Sequence, residues 1–101
     1  MQIATRTEGQ RAVLRLSGRF EFSAHREFRE AIDRVLAQQG IDDLVVDLMD
    51  VDYVDSSALG MLLMLRDRAN TAKKSLSLAS PRGMVKQALE IARFDKLFSI
   101  A

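Results

Sequence analysis

The chain has no cysteine and no tryptophan, and only one proline, one histidine and one tyrosine among its 101 residues. Without cysteine there is no disulfide framework, no thiolate zinc site and no thiol redox chemistry, which fits a reducing compartment. No apolar run approaches the ~18 residues of a membrane span. The N-terminus, Met1-Gln2-Ile3-Ala4-Thr5, lacks the charged-then-apolar layout of a signal peptide. The expectation is a cytoplasmic protein with no membrane insertion. An excess of either charge sign is also missing: 15 Lys and Arg stand against 14 Asp and Glu, leaving +1. The basic residues are scattered rather than blocked together, which argues against nucleic acid as a partner.

What is present is the composition of an ordinary globular protein, 48% hydrophobic and 29% charged, which excludes the disordered and fibrous classes. The length suits one core, so a single domain over residues 1–101 is expected.

Val13, Leu14 and Leu16, set among Arg15 and Ser17, predict a strand over residues 11–17 that ends at Gly18. A short strand near Gln2 to Arg6 could pair with it through a turn at Glu8-Gly9-Gln10. From Ser23 onward, Ala24, Phe28, Ala31, Ile32, Val35 and Leu36 recur at helical steps. Ser23 is the expected N-cap of that helix, and Gly40 the left-handed residue that ends it. Leu44-Val45-Val46-Asp47-Leu48 is a short β-branched run suited to the middle of a sheet. A second helix is expected from about Ser57 to Thr71, then a strand over Ser75 to Ala79. Ser80-Pro81 predicts a helix start, with Met84, Val85, Ala88, Leu89 and Ala92 at helical spacing. Phe94 to Ile100 is expected to pack as a last apolar segment. The order implies an α/β fold: a small, mostly parallel mixed sheet joined by right-handed crossovers and packed with three to four helices.

In such a sheet, function gathers where strands end and helices begin. Here that place is Asp55-Ser56-Ser57-Ala58-Leu59-Gly60, with Ser56 at or next to the helix N-cap. Taken alone, the tripeptide says only that a serine caps a helix. Beyond it, Leu59, Met61, Leu62, Leu63, Met64 and Leu65 are apolar around most of two turns, where a helix lying on a sheet needs a single stripe. Two arrangements fit. Met61 and Met64 contribute to a partner-binding surface beside Ser56, or the helix is sandwiched between its neighbours.

Asp47, Asp50, Asp52 and Asp55 supply the oxygen ligands that hard cations want. Asp47 is expected inside a strand, however, and Asp50 and Asp52 in a turn where Asp is favoured anyway. His25, the one candidate base for Ser56 or Ser57, is expected on the surface at a helix start. Gly18 and Gly60 stand apart from any nucleotide-binding loop. No enzyme activity, metal or cofactor is expected.

Leu48, Val51 and Val54 at three-residue spacing, followed by Asp55-Ser56-Ser57-Ala58-Leu59-Gly60, closely resemble the signature of STAS-domain anti-sigma-factor antagonists. The resemblance extends to Leu16-Ser17-Gly18-Arg19-Phe20-Glu21 and to Phe94-Asp95-Lys96-Leu97-Phe98. It implies a bacterial regulator whose Ser56 is phosphorylated by an anti-sigma factor, a serine kinase of the histidine-kinase-like ATPase fold. In that family the unphosphorylated form holds the anti-sigma factor and frees the sigma factor, and a PP2C-type phosphatase restores it. Glu21, Asp55, Ser57, Met61 and Met64 are then the expected partner-binding residues around Ser56. Ala58 stands where Gly is usual, and Glu21 where Asp is frequent. A phosphate adds about −1.5 to −2 charges, which a helix N-terminus tolerates. A carboxylate on the partner would be repelled by about 4 kcal/mol for unit charges about 4 Å apart at an effective dielectric constant of about 20. The alternative is a structural STAS subunit bound to the ATPase of a lipid-transport ABC system. There the matching site tends towards Thr-Gly, so Asp55-Ser56-Ser57 favours the antagonist.

Overall fold

A computed structural model describes residues 1–101. A two-residue turn at Gly9-Gln10, with Gly9 at φ +62°, folds β1 (Gln2–Glu8) back antiparallel onto β2 (Arg11–Phe20). A short 3-10 turn, Phe22–Ala24, leads into α1 (His25–Ala37), which returns the chain to β3 (Asp43–Val54). Then follow α2 (Ser56–Thr71), β4 (Ser75–Ala79), α3 (Gly83–Ile91), a 3-10 turn at Phe94–Lys96 and β5 (Ser99–Ile100). The sheet order is β1-β2-β3-β4-β5, with every pairing after the first one parallel. The result is the small mixed α/β sheet with three helices that the sequence implies, and β3 is its middle strand.

Each crossover steps one strand over in the same direction, so right-handed connections place the helices on one face. Their inner residues join one core. Phe28, Ile32 and Val35 of α1, Leu62 and Leu65 of α2, and Val85 and Leu89 of α3 cluster with Leu14, Leu16, Leu44, Val46, Leu48 and Leu78 of the sheet. Val13 is the one buried side chain outside that cluster, which marks the opposite face. On that face cross-strand ion pairs replace helices: Arg11 Nε meets Asp43 Oδ2 at 2.8 Å and Arg15 Nη2 meets Asp50 Oδ2 at 2.6 Å.

Two expected boundaries move because of bulges. The register runs Arg15↔Asp47, Ser17↔Asp50, Gly18↔Val51, Arg19↔Tyr53, so β3 inserts an extra residue twice. Each insertion turns a two-residue inward repeat into a three-residue one. That is why Leu48, Val51 and Val54 all face the core at three-residue spacing. The strand therefore continues to Val54, and Asp50 and Asp52 lie in it rather than in a turn. β2 likewise passes through Gly18, at φ +93°, and ends at Phe20.

Two expected caps are also corrected. Ser23 sits inside the 3-10 turn and donates its hydroxyl to Glu21 Oε1 at 3.4 Å, while α1 starts after Ala24 with no side-chain cap. Ser80 has φ +57° and gives its N–H to the Ala101 carbonyl at 3.0 Å, so α3 begins later, behind Arg82. Gly40 is left-handed at φ +84°, but α1 has already ended at Ala37.

Candidate functional site

Asp55, in extended conformation, is the N-cap of α2. Its Oδ1 accepts from the Ala58 amide at 2.8 Å and its Oδ2 from the Phe22 amide at 3.2 Å. A backbone bond from Asp55 N to the Phe20 carbonyl, 3.4 Å, runs beside them. The start of α2 and the loop leaving β2 are thus fastened at one residue. Ser56, the first residue of the helix, is exposed, Ser57 is half-buried and Ala58 fully buried. The first N–H groups of a helix lack intrahelical partners and carry its positive dipole end, so the environment of Ser56 accommodates an anion.

Glu21, the other acidic residue expected here, is half-buried and already occupied: Arg19 Nε donates to its Oε2 at 3.3 Å and the Ser23 hydroxyl to its Oε1. Met61 is corrected. It is only 4% exposed and belongs to the core, so it offers nothing to a partner. Met64 is half-buried against the same core. At Met61 the apolar girth of α2 reflects packing, as in the sandwiched arrangement, while Met64 keeps part of its surface open.

The residue that sequence reasoning missed is Phe22, 69% exposed and held beside Asp55 by its own amide. Its one aromatic contact is a stack on His25, with centroids 6.2 Å apart. The local pattern hides it: Phe22 continues the even-numbered inward parity of Leu14, Leu16 and Phe20, so alternation alone would bury it.

Two of the other carboxylates are engaged elsewhere, and Asp52 is exposed. Asp47 Oδ1 accepts from Met49 N at 3.0 Å, and Asp50 accepts from Arg15 through both Nε and Nη2. That hydrogen bond and the charge of Asp50 raise the pKa of Arg15. No three His, Asp or Glu side chains gather into a group that could hold a metal ion.

A five-stranded mixed sheet with a serine opening the helix after its central strand defines a class of small α/β domain. Among solved structures, this chain superposes on the unphosphorylated anti-sigma factor antagonist SpoIIAA with a TM-score of 0.75 at 15% identity, over 99% of this chain and 87% of that one. An anti-sigma factor antagonist from Mycobacterium paratuberculosis gives 0.86 at 20% identity, covering 98% and 83% of the two chains. A putative antagonist from Thermotoga maritima gives 0.87 at 17%, covering 97% and 84%. At these identities the likeness is one of fold. The model of the family described as "Mlab, STAS domain" matches residues 3–99. A STAS-domain containing protein of Pseudomonas aeruginosa is 44% identical over 94 residues, which is 93% of this chain and 91% of that protein. The chain belongs to the STAS-domain family, and its fold is the one in which anti-sigma factor antagonists are built.

Proposed function

We propose that this protein is an anti-sigma-factor antagonist that works by partner switching in the cytoplasm. Unphosphorylated, it binds an anti-sigma factor that is also a serine kinase of the histidine-kinase-like ATPase fold, and so releases a sigma factor. Phosphorylation of Ser56 abolishes that binding, and a PP2C-type phosphatase reverses it. The chain is a substrate in this scheme and not itself an enzyme, and it needs no cofactor because the kinase brings ATP.

The observation that carries the proposal is the position of Ser56, an exposed hydroxyl on the first residue of α2 behind an aspartate that already caps the helix. A kinase can reach it. The phosphate then lies against the helix N-terminus, where negative charge is tolerated, so the domain stays folded while the surface beside Asp55 becomes strongly negative. Asp55, Ser57 and the neighbouring Phe22 complete the docking surface, with Glu21 behind them held by Arg19. No helix is long and apolar enough to cross a membrane.

The description of the matching family does not itself name an antagonist, so a STAS subunit bound to a lipid-transport ATPase stands as the second reading. One experiment separates them: intact-mass and peptide mapping of protein from its own cells, followed by partner binding of Ser56→Ala and Ser56→Asp. Phosphate at Ser56, with the Ala form keeping a kinase-type partner that the Asp form loses, supports the antagonist. An unmodified Ser56 with both variants holding a transporter ATPase equally supports the subunit.

A further inference from the structure

Capping α2 needs one oxygen, and Asp55 uses two. Oδ1 serves Ala58 N inside the helix, and Oδ2 serves Phe22 N in the loop after β2. A serine or threonine cap would satisfy the helix as well but has a single oxygen atom to offer. The second oxygen therefore does something for the loop and not for the helix. The loop carries the most exposed aromatic ring of the protein, outside the core and stacked only on His25. A large exposed apolar side chain held in place at a candidate contact surface is the kind of group that anchors interfaces.

We infer that Asp55 is a positioning residue that presents the Phe22 ring and the Ser56 hydroxyl to a partner as one rigid surface, the ring entering an apolar pocket of that partner. The inference rests on the antagonist reading above, since it requires a protein that docks at Ser56. Asp55 touches the partner's target groups through others: through Ala58 it fixes the helix start that carries Ser56, and through Phe22 N it fixes the loop.

Two measurements test this. The first uses the free chain and follows backbone amide hydrogen exchange in Asp55→Ser, which keeps a capping oxygen and has none for Phe22. Exchange at Phe22 should rise about tenfold, the equivalent of about 1.4 kcal/mol, while Ala58 keeps its protection. Unchanged exchange at Phe22, or an equal rise at both amides, overturns the inference. The second measures affinity by calorimetry for the purified anti-sigma kinase that phosphorylates Ser56. Asp55→Ser should weaken binding in the parent and cause no further loss in a Phe22→Ala background, because the tether acts through the ring. An equal loss in both backgrounds overturns it. A chain that loses Phe22 protection in Asp55→Ser yet carries no phosphate on Ser56 fails on the functional reading and not on the tether.

Discussion

Arg19 lies over the face of Tyr53, its Cζ 3.9 Å from the ring centroid, and the two are direct partners in the β2–β3 register. The same guanidinium reaches Glu21 Oε2. The stack therefore closes the last rungs of the pairing just before the loop that carries Phe22. Crossing Arg19→Met with Tyr53→Leu in a double-mutant cycle should give a coupling of about 0.5–1 kcal/mol in urea denaturation. Additive effects would mean that the ring and the cation are mere neighbours.

Met61 and Met64 are three residues apart on α2 and should behave differently. Met61→Ala empties a core position and should cost about 2–5 kcal/mol, a large share of the roughly 5–15 kcal/mol that keeps a domain folded. Met64→Ala, at a half-buried site, should cost less than half as much. Equal urea midpoints for the two variants would contradict the packing of α2.

Gly18 and Gly60 make a second contrast. Gly18 has φ +93° and sits where an added Cβ would lie 3.7 Å from the Met1 Cα. Gly18→Ala should destabilise by about 1–2 kcal/mol. Gly60 is helical, exposed and open to a Cβ, so Gly60→Ala should stabilise by up to about 1 kcal/mol. Thermal melts of the two single variants check both signs.

Charge at Ser56 should alter binding without unfolding the chain. Ser56→Asp gains about 0.3–1 kcal/mol from the helix dipole, partly offset by the neighbouring Asp55, so its Tm should stay within a few degrees of the parent. A collapse of the far-UV circular dichroism signal in this variant would show that phosphorylation works by melting the domain instead of by changing its surface.

Much of the fold is legible because periodicity survives wherever the backbone is regular. The repeat Phe28, Ala31, Ile32, Val35 announces α1, and Ser75 to Ala79 announces β4. The bulges in β3 hide the strand's second half, since a three-residue inward repeat belongs to neither a plain strand nor a helix. Ser23 and Ser80 have the chemistry of caps, but the Ser23 hydroxyl turns back to Glu21, two residues away, and the Ser80 backbone is held in a left-handed conformation by its N–H bond to Ala101. At the site, Asp55 and Ser56 are readable from their local order. Phe22 is not, because its role depends on an amide bond to a residue 33 positions away. The burial of Met61 likewise depends on which elements flank α2, which a single helix's composition does not disclose.

The sheet has one dry face and one ionic face. The pairs Arg6–Glu8, Arg11–Asp43, Arg15–Asp50 and Arg19–Glu21 follow the ionic side, and only Arg68–Asp33 joins the helices. Dissolved ions therefore act differently on the two sides. Chloride at moderate concentration screens the exposed pairs and leaves the apolar side nearly untouched. Sulfate screens them too, but being excluded from protein surface it tightens the apolar side. Such a molecule has no single salt response: its stability reports which anion surrounds it.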